Sequence, residues 1–380
     1  MPHAILSPEA LEHALSLRDL TDPARGPHAM QRLVGAAVTA LQEAWGCPVI
    51  EERAGPIVTI ADNYDRLLYP PGAAARDARY TRYVASARLL RTQTSALIPP
   101  LLRRLATAPP EDLLLSCPGL VWRRDRIDRL HVGEPHQLDL WRLRRGAPLG
   151  SIELEEMIRA VVGALLPGRA LKTISTVHPY TAGGLELYVE AGGEWVEVGE
   201  CGATHPRILQ DAGLPPGCSG LAMGLGLDRL LMLAKGLDDL RLLRSTDPRV
   251  VSQLLDLAPW RPVSSQPPIR RDLSLAVHER LRAEELGDRV REALGPRADD
   301  VEAVEVLSST THAALPEAAR ARIGLTDGQK NVLVRLTLRA LTRALTDAEA
   351  NRLRDEVYAA LHEGSKHEWC SGGPPALRTG

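Results

Sequence analysis

Residues 220–233 read GLAMGLGLDRLLML, a glycine-rich stretch that runs into an apolar helical pattern. A glycine loop before a helix is the usual mark of a dinucleotide phosphate site. That fingerprint, however, wants a third glycine where this chain has Arg229, and it needs a parallel βαβ unit around it. The surrounding sequence offers something else. Strand-like runs crowd together at 112–145 (LLLS, LVWRR, HQLDLWRLRR) and recur at 170–176, 184–190 and 193–200, with a helix at 151–166 between them. Strands joined by turns, with helices bunched around them, predict an antiparallel sheet.

Upstream, Met30, Leu33, Val34, Ala37, Val38, Leu41 and Trp45 form an apolar stripe at helical spacing after an Asp22–Pro23 start signal. The punctuated CPVIEERAGPIVTIADNYDRLLYPPG reads as a short strand and a long surface loop. The 151–166 helix opens without a full capping box. Residues 258–269, APWRPVSSQPPI, form a linker rich in proline and serine. Beyond it the order is strand, helix (282–294), strand (301–308), strand (NVLVRLTL), helix (347–362) and strand (365–370), a ferredoxin-like βαββαβ unit. The expected fold class is therefore α+β: an antiparallel sheet flanked by helices over 1–257, then a ferredoxin-like domain over 270–380.

Composition narrows the function classes. A chain of 380 residues with 44% hydrophobic and 25% charged residues is an ordinary globular protein of two or three domains. No run approaches the ~18 apolar residues of a membrane span, so no membrane partner is expected. The acidic start, MPHAILSPEALEHALSLRDL, lacks transit-peptide character, and a cytoplasmic location is expected. The five cysteines are scattered without a CxxC pair, which argues against a zinc site or a disulfide framework. A net charge of -2 leaves any RNA contact to local patches. The chain contains no phenylalanine at all. Composition bias explains that; so would a need to make this protein independently of phenylalanine supply.

The chemistry concentrates in GLVWRRDRIDRLHVGEPHQLDLW, residues 119–141. Arg123 falls near the end of one strand, His131 in the loop, and Gln137 and Asp139 on one face of the next strand. A fixed cation opposite an acid–amide pair suits an anion beside an ammonium, such as a phosphate beside an amino acid. A solvated, charge-rich hairpin is the plainer alternative.

Three segments, RYVASARLLRTQTSAL (82–97), VWRRDRIDRLHVGEPHQLD (121–139) and GLAMGLGLDRLLML, together resemble phenylalanyl-tRNA synthetases, a class II aminoacyl-tRNA synthetase family with the patterns LLRTHTS, VYRxDxxDATHxxxFHQxEG and GLAFGLGLERLAML. WVEVGECGATHP (195–206) is similar to the family strand WLEVLGCGMVHP, and residues 270–351 to its ferredoxin-fold anticodon-binding domain. The resemblance implies an enzyme that activates an α-amino acid with ATP as its adenylate and passes the acyl group to tRNA. It places Arg229 on the γ-phosphate and over adenine, where a planar guanidinium serves both tasks. It places Arg123 on the α-phosphate and the reacting carboxylate. Asp125 and His131 stand at ATP-contact positions, Pro135 where a phenylalanine meets adenine, and Gly224 and Gly226 where the backbone nears the nucleotide. Glu197 and Glu200 stand where related enzymes hold Mg²⁺. Gln93, Ser95, Gln137 and Asp139 would take the α-amino group, with His178, Tyr180 and Ala222 lining the side-chain pocket. Arg270, Arg271, Arg335, Arg339 and Arg343 are candidate tRNA contacts. Motif 1 falls on the 28–45 helix, which in this class builds a homodimer. Both modules lie in one chain, so no obligatory second subunit is expected, and the protein would be a homodimer or a monomer.

The chain departs from the family in the pocket. The FPF segment is His178-Pro179-Tyr180, the histidine of LRTHTS is Gln93, and the glutamate after HQ is Asp139. Two readings follow: tolerant drift that still grips phenylalanine, or a changed, more polar substrate. An adenylate-forming paralogue with a non-tRNA acceptor, and a non-catalytic sensor of amino acid or tRNA, are the functional alternatives.

Overall fold

The computed structural model describes residues 5–78, 80–124, 126–263 and 267–367. Two compact units emerge, one of residues 1–123, 134–238 and 251–260, the other of 124–133, 239–250 and 261–380. Where the sequence suggests one cut near 258–269, two short earlier segments group with the C-terminal unit.

In the first unit the strands are β1 (Val49–Glu51), β2 (Ile57–Thr59), β3 (Tyr83–Ala85), β4 (Arg88–Leu90), β5 (Asp112–Leu120), β6 (His136–Arg145), β7 (Leu171–Thr176), β8 (Thr181–Ala191), β9 (Glu194–Thr204) and β10 (Cys218–Gly226). Seven of them make one sheet in the order β1-β5-β6-β10-β9-β8-β7, while β2, β4 and β3 form a small separate sheet. Only the β1–β5 pairing in the large sheet is parallel. β10 is antiparallel to both β6 and β9, and the helix Leu227–Lys235 follows it directly. The opening stretch is thus a strand–helix junction in an antiparallel sheet, not the turn of a βαβ unit.

Alternation along β6 divides the two faces. Leu138, Leu140 and Arg142 alternate with Gln137, Asp139 and Trp141. The Arg142 guanidinium is held by Asp112 at 2.7 Å and lies 4.2 Å over the Trp45 ring. Trp45 ends the helix Ala29–Trp45, whose stripe residues Met30, Leu33, Val34, Ala37 and Leu41 are all buried. That helix starts after His28, whose ring accepts from Met30 N at 3.1 Å; Asp22 instead caps a short turn, Pro23–Arg25. Trp45 Nε1 also donates to Glu156 at 3.0 Å, joining this helix to Ser151–Leu165. The latter carries half of a capping box after all, since Glu153 accepts from Gly150 N at 2.9 Å.

The 47–72 segment is not the surface loop its prolines and glycines suggest. Asn63, Tyr64 and Leu67 are fully buried, and Leu67 packs in one core with Leu97, Trp141, Tyr180 and Ala222.

The second unit holds β11 (Ile269–His278), β12 (Val301–Thr311) and β13 (Gln329–Leu338), antiparallel in the order β11-β13-β12. Every second residue of β13 from Val332 to Leu338 is buried, against Leu273, Leu275 and Val277 of β11 and Val290, Leu353, Val357 and Leu361 of the helices Ala283–Leu294 and Asp347–Leu361. Thr346 and Glu349 cap the second helix reciprocally. Ile127 belongs to this core and its carbonyl accepts from Val304 N at 2.9 Å, which is why the 124–133 segment groups here. Of the strand expected at 365–370, residues 365–367 are not in strand, and 368–370 lie outside the described residues.

Candidate active site

Register sets the site out in rows. Directly paired residues share a face, so Gly119, Gln137 and Gly226 form one row across β5, β6 and β10. Cys117, Asp139, Gly224 and Glu200 form the next, and Leu115, Trp141, Ala222 and Gly202 the third. Glycine has different reasons within these strands. A Cβ on Gly199 would meet the Gly224 carbonyl oxygen at 2.3 Å, so packing demands glycine there. A Cβ on Gly224 would find nothing nearer than 3.8 Å, so the protein itself leaves room at that point of the row.

Asp139 is the most enclosed acid of the site, 2% exposed. Thr94 Oγ1 donates to its Oδ2 at 2.6 Å, and Ser95 Oγ and Trp141 Nε1 donate to Oδ1 at 2.8 and 3.2 Å. Burial nevertheless pushes its carboxyl up to about 6, against the three hydrogen bonds that favour the charge. Three donors leave Oδ2 with a lone pair, a fitting place for an ammonium. Gln137 Oε1 accepts from Thr94 N at 3.3 Å. The structure therefore brings Ser95, Gln137 and Asp139 together. Gln93 is tied to the wall behind them, donating to Asn63 O at 2.8 Å and accepting from Tyr69 Oη at 3.1 Å. Thr94, Trp141, Asn63 and Tyr69 were not singled out from sequence. For Thr94 the signal was available, because it stands between Gln93 and Ser95.

Arg123 and Arg229 leave the sheet at the same end. Arg123 follows β5 and Arg229 follows β10, on either side of Gln137 at the start of β6. The chain turns out of β5 at Leu120, so Arg123 lies beyond the strand rather than in it. Buried Arg91 fixes that exit: its Nε donates to Leu120 O at 2.8 Å, while Trp122 N donates to Arg91 O at 2.9 Å. Arg123 Nε then donates to Thr92 O at 2.9 Å, and its charge is felt at Tyr69 and Tyr64. Arg229 Nη1 donates to the Glu197 carbonyl at 3.2 Å and faces the Glu197 carboxylate at 3.3 Å.

A buried strut joins the two arginine-bearing segments. His136 N donates to Asp228 Oδ2 at 2.5 Å, and its Nδ1 lies 3.2 Å from Oδ1. Its Nε2 accepts from Leu20 N at 3.1 Å, which places the ring proton on Nδ1, facing Asp228. His136 adjoins Gln137 and Asp228 adjoins Arg229, so the strut sets one against the other. Nothing in the local sequence marks either residue as part of the site.

The residues expected to line the side-chain pocket include packed aromatic rings. Tyr180, 2% exposed, stacks on Trp141 with ring centroids 5.9 Å apart and has Tyr69 and His178 at 6.5 and 6.1 Å. Fully buried Ala222 lies in the same core. Tyr180 Oη donates to Glu200 Oε1, and His178 Nε2 comes within 2.8 Å of Glu200 Oε2, out of line for a good hydrogen bond. The Glu200 carboxylate raises the His178 imidazole above its ordinary value. These contacts bear on magnesium. Glu200 is engaged by Tyr180 and His178 while Glu197 faces Arg229, and no group of three or more metal-ligating side chains occurs among the described residues. The two carboxylates do not fit a shared metal site, and no step is assigned to one.

The other expected contacts have the following surroundings. Pro135 O accepts from Val121 N at 2.9 Å, closing the hairpin. His131 belongs to the second unit, where its Nδ1 lies 2.8 Å from the Asp128 carboxylate. Asp125 lies outside the described residues. Arg271 is held by Asp347 and Asn351, Arg335 by Asp272, Arg339 by Glu302, and Arg343 by Glu349; Arg270 is exposed.

Residues 36–254 match the family described as tRNA synthetases class II core domain (F), and residues 264–368 match the ferredoxin-fold anticodon binding domain. The chain is 29% identical over 329 residues to the chloroplastic/mitochondrial phenylalanine–tRNA ligase of Arabidopsis thaliana, covering 82% of this chain and 71% of that one. It is 34% identical over 192 residues to the phenylalanine–tRNA ligase alpha subunit of Prochlorococcus marinus (strain NATL2A), covering 50% of this chain and 56% of that one. It is also 34% identical over 215 residues to the alpha subunit of Caldanaerobacter subterraneus, covering 52% and 61%. The alpha-subunit names correct one expectation. Proteins so named are components of a larger enzyme, which overturns the view that no second subunit is required.

Proposed function

This chain belongs to the tRNA synthetases class II core family, and we propose that it is a phenylalanine–tRNA ligase, assembled with a second subunit. The observation that carries this reading is the placement of Arg123 and Arg229 on either side of Gln137, one row from the enclosed Asp139. Asp139 and Gln137 would hold the α-ammonium, with the ring against Tyr180 and Ala222. ATP would lie along β10, where Gly224 leaves the strand open.

The amino-acid carboxylate attacks the α-phosphorus of ATP in line, a phosphorus–oxygen bond forms, and pyrophosphate leaves. A ribose hydroxyl of tRNA then attacks the acyl carbon and AMP departs. A carboxylate is already a nucleophile, so the first step needs no general base. Catalysis comes from position and from cations that meet the charge growing on the phosphoryl oxygens. Tyr180 Oη donates to Glu200, and the same carboxylate faces the His178 ring, so the polar changes in the pocket have a charged neighbour within the protein and do not call for a polar substrate. Names of the three relatives above, each a phenylalanine–tRNA ligase or its alpha subunit, support phenylalanine as that substrate, and the match of 264–368 supports tRNA as the acceptor.

The test is phenylalanine-dependent exchange of pyrophosphate into ATP, followed by charging of tRNA, by the chain co-expressed with a phenylalanyl beta-type subunit. Exchange and charging with phenylalanine are expected. Exchange with a different amino acid only, or exchange without charging, would overturn the proposal.

A further inference from the structure

Three departures from the synthetase pattern meet at one point. His178 and Tyr180 stand where the pattern has two phenylalanines. Set residue by residue against WLEVLGCGMVHP, the stretch WVEVGECGATHP places Glu200 where the pattern has glycine. Nothing in the sequence links a segment at 178–180 to one at 200. In the fold, β8 and β9 pair so that Tyr180 reaches Glu200 Oε1 and His178 reaches Glu200 Oε2.

We propose that His178, Tyr180 and Glu200 act as one unit, in which Glu200 is the positioning residue that holds the two ring walls of the amino-acid pocket. Two phenylalanine walls need no polar partner and are placed by packing alone. A histidine and a tyrosine each carry a polar group that is costly to leave unpaired in a half-buried site. Glu200 accepts from Tyr180 with one oxygen and sets the other 2.8 Å from His178 Nε2, as a charge partner rather than an aligned hydrogen bond. The dependence is mutual. Glu200 pairs across the strands with Glu186, sits in the row of Asp139, and is partly buried, so without His178 and Tyr180 it would be an acid among acids. The stacking of Tyr180 on Trp141 and its nearness to Tyr69 carry the fixed geometry to the rest of the pocket. The occupant of the pocket rests on the ligase reading; the coupling of the three residues does not.

The experiment is a cycle of variants in the assembled enzyme: Glu200→Gly, the pair His178→Phe with Tyr180→Phe, and all three together. Amino-acid KM in pyrophosphate exchange should rise roughly tenfold in each of the first two and return to within about threefold of the parent in the triple, with kcat and the KM for ATP moving less than about twofold throughout. Thermal unfolding, which needs no substrate, should fall in the first two and recover most of the loss in the triple. Glycine's own cost to β9 appears in both backgrounds and cancels. Additive losses in the unfolding cycle would overturn the proposal, as would a raised KM that persists in the triple. A metal role for Glu200 would betray itself in the same way, with a higher magnesium requirement in every variant lacking it. If the parent enzyme exchanged nothing, the ligase reading would fall, and the unfolding cycle would still decide whether the three residues form one unit.

Discussion

Arginines near the end of the large sheet and arginines of the second unit are held differently. In the second unit Arg335 grips Asp272 with two bonds of 2.8 Å, Arg271 pairs with Asp347 at 2.8 Å, and Arg343 pairs with Glu349 at 2.9 Å. In the first unit Arg123 Nε donates to a backbone carbonyl, and Arg229 Nη1 donates to the Glu197 carbonyl and faces its carboxylate at 3.3 Å. A guanidinium bound bidentately by a carboxylate has spent the fork that would bind a phosphate. One tethered to a backbone carbonyl, as Arg123 is through Nε, is oriented without spending its fork on an acid. What marks a binding arginine is the partner it already has, and sequence does not report partners.

The sharpest way to break this contrast is Arg229→Ala. Loss of a cation aimed at developing phosphoryl charge should lower kcat/KM for pyrophosphate exchange by about a thousandfold. Arg229→Lys should recover only part of it, since an ammonium has neither fork nor plane. An alanine variant within tenfold of the parent would remove Arg229 from the site. The next largest effect should come from the strut behind it. Asp228→Ala leaves His136 N and Nδ1 without the carboxylate and frees the helix bearing Arg229 to shift against Gln137, and displacements of about 1 Å at such a site cost on the order of a hundredfold. Because the strut is buried, circular dichroism must show a folded variant. A folded variant with unchanged exchange kinetics would mean that the two arginines are placed without it.

How much of this was legible beforehand follows the same division. The strand–helix junction at 218–235, the helix at 29–45 and the pairing of Gln137 with Asp139 on one face all follow from local periodicity, and the sheet displays them where expected. Ser95 and Asp139 were named from a resemblance, and the fold joins them at 2.8 Å. What escaped was non-local. Tyr64 and Leu67 sit in a stretch whose prolines and glycines imitate a surface loop, yet they are buried by segments far away in sequence. The 124–133 segment reads as part of a hairpin, yet Ile127 packs in the core of the second unit and Arg124 faces Asp288 at 3.3 Å. The resemblance points Glu200 toward a metal, and only the fold shows that its carboxylate lies against His178 and Tyr180.

A pH profile sharpens the contrast from the side of the acids. In the second unit Asp272 is held below its ordinary range by the side-chain hydrogen bond from Arg335, whereas burial drives Asp139 up to about 6. The substrate ammonium binds the charged form of Asp139. Affinity is therefore full above that value and lost as pH falls through it, with amino-acid KM rising toward tenfold per pH unit, the limit for one proton. Measured from pH 7.5 to 5, KM for phenylalanine should climb below about 6 while KM for ATP stays flat. Asp139→Asn should have a high KM that no longer bends near 6; if the bend persisted, another group would be responsible.

The smallest effect should come from Arg335→Ala. The ion pair with Asp272 lies on the surface, where solvent and salt screen it and ordering two side chains offsets its gain. Unfolding should shift by no more than about 2 °C, as for other exposed pairs. Because the fork is already occupied by Asp272, tRNA KM should change less than about twofold, against the uniform weakening and reduced salt slope expected of a phosphate contact. Asp272→Ala makes the opposite variant, releasing Arg335 from its partner. If that release tightens tRNA binding at low salt and Arg335→Ala abolishes the gain, the arginine faces the nucleic acid and is held in check by its neighbour. If Arg335→Ala alone weakens tRNA binding severalfold, the rule that an arginine's existing partner decides its availability fails in this domain.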